Sequence, residues 1–285
     1  MVCCGEPRMI NFDKYINDFP ALKGIGRQNW PVFYDPRKND PIIMIHSPVG
    51  TDVFFNDNNK FKVVISGFCT SLEACSKFLK DKFIDRNSEP NYLEYVHTFN
   101  SSALRTNITK ICKKIGLLEK FGTSGARINL LELIKGNPTK YPILMTQALC
   151  CVATKKESDA KLIIKKILRE NLEPKFKKCL ENSLNAWLSK ITQNKSNKCI
   201  LFLLGFAKKE KSAIQLLLKN SSIGRNGTVY IGEIHKISLL EHLKKIFNDF
   251  LVFIPHPAQL TNTRLEEYLK TKEGKKAISM VNGIF

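Results

Sequence analysis

The chain has 285 residues, of which 43% are hydrophobic, enough for a core in one large α/β domain or two small ones. It carries 45 Lys and Arg against 26 Asp and Glu, a formal net charge of +19. This excess of basic residues indicates a polyanionic partner, with nucleic acid the leading candidate and an anionic membrane surface the second. The alternative is a lysine-rich solvated surface, since the sequence has no dense basic run.

The beginning of the chain, Met1–Glu6, lacks the basic and apolar regions of a signal peptide. No apolar run approaches the roughly 20 residues of a membrane span. The cysteines number nine, an odd count, and several lie in predicted core segments, which indicates reduced thiols. We therefore expect a cytoplasmic monomer without a membrane partner.

The first half of the chain begins with an irregular extension over residues 1–40. Short apolar runs bounded by turn residues predict strands, and isoleucines at helical spacing predict a helix. The predicted elements are strands Ile42–Ile45 and Lys62–Ser66, a loop Gly67–Ser71, a helix Leu72–Phe83, a loop over 86–101 and a helix over 103–119.

The second half continues the alternation of strands and helices. Its predicted elements are strand Pro142–Gln147, two helices over 158–190 broken near Pro174, strand Lys198–Gly205, a helix around Ile214, the loop Ser221–Gly227, a helix over 238–247, strand Phe250–Ile254 and a final helix. Thr263, with Glu266 three residues later, predicts a capping box at the start of that final helix.

This alternation predicts a three-layer α/β/α sandwich around a central, mainly parallel sheet of four to five strands. No internal repeat, low-complexity tract or linker divides the sequence. A single domain over residues 41–285 is therefore the prediction.

Small, polar and aromatic residues follow four of the predicted strands. They are Ser66–Thr70, Thr146–Gln147, Gly205–Phe206 and His256–Pro257. Because the carboxyl ends of parallel strands open on one edge of a sheet, these residues are expected to line one site. Backbone amides, a side-chain amide, a hydroxyl, a ring and an imidazole together suit a planar hydrogen-bonding ligand such as a nucleobase.

His256 is the foremost candidate, because it stands at the end of a buried strand between Pro255 and Pro257. Two prolines restrict the backbone beside the imidazole, which is a costly way to build an ordinary connection. The alternative interpretation is a histidine that caps the strand and hydrogen-bonds to a neighbouring carbonyl.

In the order of these strand ends, the chain resembles the uracil-DNA glycosylase superfamily over about residues 40–270. The closing motif of that family, His-Pro-Ser-Pro-Leu-Ser-like, resembles His256–Thr261, and its opening motif, Gly-Gln-Asp-Pro-Tyr or Gly-x-x-Pro-Gly, resembles Gly67–Ser71. The resemblance implies a DNA-binding protein that hydrolyses the N-glycosidic bond of a flipped uracil or modified base, in single- or double-stranded DNA.

The resemblance also implies roles for single residues. His256 would donate to O2 of the base and stabilise the charge that develops there, and Gln147 would read the base edge. Leu260 would be the wedge that fills the gap left by the flipped nucleotide, and Phe99 would stack on the base. The remaining expected residues are Gly67, Phe68, Thr70, Ser71 and Thr146 in the base pocket, and Pro257, Gln259 and Thr261 against DNA.

Arg225 lies in the turn-rich segment Ser221–Gly227, which is basic and could touch a phosphate. A simple connection between two elements is the alternative interpretation of that segment. Phosphate-cradling glycine motifs are absent from the sequence, which argues against a nucleotide-hydrolysing or dinucleotide-dependent enzyme.

The sequence departs from the family at the position of the water-activating Asp or Asn, where Cys69 stands, and at the following proline, where Thr70 stands. Either another residue positions the water, or His256 carries most of the catalysis, or the protein does not remove uracil. A non-catalytic nucleic-acid-binding protein is therefore one alternative. Another is a small-molecule hydrolase that uses Cys69 as a nucleophile, activated by a helix N-terminus.

No metal or other cofactor is expected. Some members of the superfamily hold an iron–sulfur cluster, and cysteines lie at loosely comparable places in this chain, namely Cys3 or Cys4, Cys150 or Cys151, and Cys179. Cys3 and Cys4 are adjacent, however, and the spacing fits no standard ligand run. Buried or terminal free thiols are the favoured interpretation.

Overall fold

The computed structural model describes residues 32–34, 43–45, 60–71, 102–123, 130, 141–154, 161, 164–165, 174–193, 195–207, 211–233 and 237–285. The strands are β1 Val32–Tyr34, β2 Ile43–Ile45, β3 Phe61–Ser71, β4 Ile143–Thr154, β5 Lys195–Leu204, β6 Ser221–Ile223, β7 Val229–Ile231 and β8 Leu251–Ile254. The helices are α1 Ser102–Lys114, α2 Pro174–Gln193, α3 Ala213–Lys219, α4 Leu239–Ile246, α5 Asn262–Lys270 and α6 Lys272–Ile284, with 3₁₀ turns at Glu119–Phe121 and Pro257–Gln259.

The main sheet has the strand order β1-β2-β4-β3-β5-β8. Its four strands β4, β3, β5 and β8 run parallel to one another, and the short strands β1 and β2 extend it antiparallel at the β4 side. The predicted mainly parallel sheet is thus confirmed. Residues 32–34, which the sequence assigns to an irregular extension, form β1 and pair with β2.

Helices cover both faces of this sheet, which confirms the three-layer α/β/α arrangement. One face, the first core cluster, joins β-strand side chains such as Val64 and Leu201 to α2, α3, α4 and β7. The opposite face, the second core cluster, joins Val63 and Ile65 to α1, α5 and α6. Strands buried on both faces read as continuous apolar runs, so β5 and β8 were recognisable from the sequence.

Strands β3 and β4 are longer than their sequences indicate. Gly67–Ser71 was predicted as a loop and lies within β3, and Gln147 was predicted at a strand end and lies within β4. The two strands pair with each other beyond the end of β5, and the register shifts after Cys69. Their hydrogen-bonded ladder overrides the turn-like composition of these residues.

Two local predictions in the second half of the chain are wrong. The predicted loop Ser221–Gly227 contains β6, which forms an antiparallel hairpin with β7. The N-cap of α5 is Thr261, not Thr263, and its hydroxyl accepts a hydrogen bond from the backbone N–H of Arg264 at 3.2 Å. The helix starts earlier because the 3₁₀ turn after His256 ends at Gln259 and leaves Thr261 extended.

The hairpin β6–β7 is attached to α2 by side chains that accept hydrogen bonds from the backbone of β7. The backbone N–H of Val229 donates to Oδ1 of Asn185 at 2.8 Å, and that of Ile231 donates to Oε1 of Glu181 at 3.1 Å. Buried backbone groups that lack partners are destabilising, so these two side chains stabilise the hairpin on the helix.

The outer edge of β8 is covered in a comparable way by α6. Nζ of Lys276 donates to the carbonyl of Leu251 at 2.9 Å, and the N–H of Phe253 donates to Oε2 of Glu273 at 3.3 Å.

Among the helices that the structure describes, none combines the length and the apolar character needed to cross a bilayer.

Candidate functional site

The chain changes direction across the sheet at β3. It passes from β3 to β4 on one side, and then to β5 on the other side of β3. In open α/β sheets, ligands bind outside the carboxyl ends of the strands at such a switch point. Ser66 of β3 is level with Thr146 of β4 and with Leu203 of β5, so β5 ends one residue beyond this level while β3 and β4 continue past it.

Gln147 lies within β4, level with the end of β5, and its side-chain amide lies directly over Gly67 of β3. A Cβ at position 67 would lie 2.8 Å from both Cδ and Nε2 of Gln147, so the amide would have to shift if position 67 carried a side chain. The side chain of Gln147 is 6% exposed, and its Oε1 has no hydrogen-bond partner among the described residues. A buried, unpartnered acceptor costs about 1–3 kcal/mol and is rare in native proteins, so it marks a candidate ligand contact.

The backbone beneath this amide is held from the opposite face of the sheet. Nε1 of Trp187 on α2 donates to Oγ of Ser66 at 3.0 Å, and Oγ of Ser66 donates to the carbonyl of Gly67 at 3.3 Å. All three groups lie in the interior. Trp187 was not identified as a site residue, because the spacing of α2 marks it only as one more apolar core position.

His256 lies at the end of β8, as predicted, where it is the N-cap of the 3₁₀ turn Pro257–Gln259. Its Nδ1 accepts a hydrogen bond from the backbone N–H of Ala258 at 3.2 Å. The capping part of the alternative interpretation is thus observed, because His256 caps the turn that follows the strand. With Nδ1 as acceptor, the neutral imidazole carries its proton on Nε2.

The turn after His256 is tied to α1. Nδ2 of Asn107 donates to the carbonyl of Pro257 at 2.8 Å, and Pro257 itself is buried. The turn and the helix are thereby held together, which fixes the backbone on both sides of the imidazole. Asn107 lies 150 positions away in sequence, and no local pattern indicates this contact.

A cavity of about 280 Å³ opens beyond β5 and β8 and is closed on one side by α5. His256, Leu260, Phe206, Arg264, Glu267 and Tyr268 line it. The rings of Phe206 and Tyr268 meet edge to face, with centroids 5.0 Å apart. Gly205, with φ of +138°, turns the chain from β5 into the cavity wall, in a backbone conformation open essentially to glycine.

Two of the four predicted strand ends, Gly205–Phe206 and His256, therefore share this cavity. Gly67 and Gln147 lie inside β3 and β4, level with the end of β5, and do not line the cavity. Arg264, Glu267 and Tyr268 were missed by sequence reasoning. Their i, i+3, i+4 spacing on one helix shortly after the histidine is the signal that could have found them.

Other residues predicted for the base pocket lie elsewhere. Phe68 is 8% exposed and packs in the first core cluster, and Thr146 is buried. Thr70 and Ser71 belong to β3, opposite Ala153 and Thr154. Phe99 lies outside the described residues.

Cys69 lies inside β3 and packs half-buried against the first core cluster. The prediction that it lies in a loop is wrong, since the strand continues to Ser71, and the helix predicted over Leu72–Phe83 lies outside the described residues. His256 lines a cavity whose Leu260 and Phe206 pack against the second core cluster instead. The structure therefore does not bring Cys69 and His256 together as a nucleophile and its base.

The residues predicted to contact DNA have several locations. Leu260 lines the cavity and is partly buried against the second core cluster, and the Thr261 hydroxyl caps α5. Gln259 belongs to the 3₁₀ turn. Arg225 is exposed between β6 and β7, on the side of the first core cluster, and does not line the cavity of His256.

The described thiols are suited to packing. Burial raises the pKa of Cys112 and that of Cys199 to about 12, so both stay protonated at neutral pH. Within the described residues, no group of three or more His, Cys, Asp or Glu side chains could hold a metal ion. Cys3 and Cys4 lie outside the described residues, whereas Cys150 and Cys151 belong to β4 and Cys179 to α2.

The chain matches no family model, no curated protein and no solved structure. The resemblance to the uracil-DNA glycosylase superfamily therefore stays a prediction. The described features that could bind a ligand are the amide of Gln147, the imidazole of His256 and the cavity beside it.

Proposed function

We propose that this protein binds DNA and hydrolyses the N-glycosidic bond of an extruded uracil or modified base. The observation that carries the proposal is the buried amide of Gln147, whose Oε1 has no partner among the described residues and which lies within β4, level with the end of β5.

The amide of Gln147 suits the edge of a uracil-like base. A side-chain amide both donates and accepts, and uracil presents an N3–H donor beside an O4 acceptor. A base N–H aimed at Oε1 would satisfy the acceptor that the described residues leave unpaired. A pocket built to make such a hydrogen bond rejects bases that cannot make it, because the buried amide then stays unsatisfied.

The imidazole of His256 suits stabilisation of the leaving base. When the C1′–N bond breaks, its electron pair moves onto the base, and negative charge develops at O2. A neutral imidazole with its proton on Nε2 can donate to that oxygen without first being protonated. The bond from Ala258 and the Asn107 contact preorganise this donor.

The charge of the chain suits a polyanionic substrate. The helices that cover the second core cluster next to the His256 turn carry exposed basic side chains, including Lys110, Lys113, Lys270, Lys272 and Lys275. Lysines of this kind would contact phosphates, and binding should weaken steeply as salt is raised.

A non-catalytic DNA-binding protein is the second candidate. It is favoured by Cys69, which takes the family's water-activating position and packs against the first core cluster. The hydrolase that uses Cys69 as a nucleophile has less support, because the cysteine is not brought to the cavity of His256.

The deciding experiment is incubation of the protein with oligonucleotides that carry one uracil or one modified base, single- and double-stranded, followed by alkali cleavage at abasic sites. His256→Ala and Gln147→Met are the test variants. His242→Ala is the matched control, since His242 lies half-buried on α4 at the opposite face.

Cleavage by the wild type and by His242→Ala, with a loss of about 100-fold or more in His256→Ala, is the expected result. Salt-dependent binding without abasic sites would favour the non-catalytic protein. If the protein neither cleaves nor binds any of the oligonucleotides, the proposal is wrong.

A further inference from the structure

We propose that Glu267 is the general base of this site and takes the proton from the water that attacks the sugar. This inference rests on the proposed glycosidic hydrolysis and goes beyond it, because no sequence resemblance assigns a role to this residue. It gives the site the carboxylate that is missing at the position of Cys69.

Hydrolysis requires a proton acceptor that His256 does not provide. The Nδ1 lone pair of His256 is engaged by the N–H of Ala258, and Nε2 then carries a proton. In this tautomer the imidazole is a donor and has no vacant nitrogen to accept a proton from water. Cys69 is directed to the first core cluster, so it is not available in the cavity.

Glu267 places a carboxylate in the same cavity as His256. Its side chain is exposed, so water reaches it, and a carboxylate oxygen can accept a proton from that water. The negative charge has a second effect, because the sugar acquires positive charge as the glycosidic bond breaks. The placement thus pairs a donor for the leaving base with an acceptor for the attacking water.

The two residues belong to one local unit. Leu260 and Thr261 connect the 3₁₀ turn to α5, and the Thr261 hydroxyl fixes the start of that helix. Glu267 then lies in the second turn of α5, beside Arg264 and Tyr268 in the cavity wall. The geometry between donor and acceptor is therefore set by a short, capped segment of chain.

The neighbouring Glu266 has a different environment. Its Oε1 accepts from Nζ of Lys114 on α1 at 2.8 Å, and that hydrogen bond lowers the pKa of the Glu266 carboxyl. Glu266 does not line the cavity. Consecutive glutamates on one helix thus offer a matched pair, one in the site and one outside it.

The bond between C1′ and the base nitrogen breaks, and its electron pair leaves with the base, whose O2 accepts a hydrogen bond from Nε2 of His256. The oxygen of water bonds to C1′, and one water proton passes to the Glu267 carboxylate. That proton later returns to the departed base through solvent, leaving the free base and an abasic sugar with a 1′ hydroxyl.

The test is single-turnover cleavage of the preferred oligonucleotide by Glu267→Gln, Glu267→Asp and Glu266→Gln across pH 4 to 9, with oligonucleotide affinity measured for each. We expect Glu267→Gln to lose about 10²- to 10⁴-fold in rate, the usual contribution of a general base. The cleavage rate of Glu267→Gln should also no longer decrease at acidic pH. Glu267→Asp should recover part of the rate, and Glu266→Gln should stay within about threefold of wild type.

Wild-type rates and an intact acidic limb in Glu267→Gln would overturn the inference while leaving the glycosylase proposal in place. Failure of the wild type to cleave any substrate would overturn both. A parallel loss of affinity and rate in Glu267→Gln, with the acidic limb retained, would assign the residue to substrate binding and remove it as the base.

Discussion

The side-chain amide of Gln147 lies against the backbone of Gly67 on the neighbouring parallel strand and occupies the space where a Cβ of residue 67 would lie. The glycine provides space, and the amide fills it while leaving Oε1 without a partner among the described residues. This pair is a packing unit as well as the candidate base contact.

Gly67→Ala should move the amide out of its place. The new Cβ would lie 2.8 Å from Cδ and Nε2 at the flexible end of Gln147, so the amide should shift at a cost near the lower end of overpacking, about 1 kcal/mol. Chemical denaturation should show the loss of unfolding free energy, and oligonucleotide binding should weaken. In the double variant with Gln147→Ala the clash partner is gone, so its cost should be well below the sum of the single changes. Strict additivity would contradict the contact.

Gly274 and Gly283 form a matched pair within α6. A Cβ on Gly274 would meet backbone atoms at the end of α5, 2.7 Å from Cα of Leu269, whereas a Cβ on Gly283 would meet nothing within 4 Å. Gly274→Ala should therefore lower the unfolding free energy by at least about 1 kcal/mol. Gly283→Ala should raise it by up to about 1 kcal/mol, because alanine favours the helix. Thermal and denaturant unfolding report both, and equal effects would show that α5 and α6 are not in this close contact.

Asn185→Ala should loosen the hairpin β6–β7 on α2. The change removes the acceptor for the Val229 N–H, and an unsatisfied buried donor costs about 1–3 kcal/mol. Hydrogen exchange should become faster at Val229, with little change at β5. Unchanged protection at Val229 would mean that another acceptor replaces Asn185.

The stability of the protein should fall on acidification partly through His242. Burial, and to a lesser degree the nearby Lys245, lower the pKa of His242 below its usual value near ~6.5. Below about pH 6.5 the unfolded chain then binds more protons than the native protein at this position, so stability is lost as the pH decreases from there. Above that pH, His242 does not contribute to the pH dependence of the unfolding free energy.

His242→Gln removes this titration. Denaturant unfolding at pH 7.5 and pH 5.5 should show a smaller decrease in stability for the variant than for the wild type. The same decrease in both proteins would assign the acid sensitivity to other groups.

The sequence was sufficient where burial leaves a local pattern. The apolar runs of β5 and β8 and the alternation of elements predicted the layers, and the end of β8 correctly placed His256. It was insufficient at Gly67 and Cys69, whose composition resembles a turn. Their strand conformation depends on pairing with β4, about eighty positions away, which no local pattern encodes.

The candidate site shows the same division. His256 and Gln147 could be chosen as residues near strand ends, although Gln147 lies within its strand. Glu267 reads as an ordinary exposed residue of an amphipathic helix, and only the packing of α5 beside the His256 turn places it in the cavity. Side chains supplied by tertiary packing, such as Asn107 and Trp187, were likewise beyond sequence reasoning.

The two hydrogen bonds from α6 to β8 have a consequence for assembly. Exposed strand edges invite pairing with strands of other chains, and a charged side chain at such an edge discourages it. Here Lys276 and Glu273 form hydrogen bonds with the carbonyl of Leu251 and the N–H of Phe253, two backbone groups that an added strand would need. An incoming peptide would have to displace both charges, so growth of the sheet by β-augmentation at this end is opposed. Truncation before α6 would convert β8 into an open template for domain swapping or aggregation.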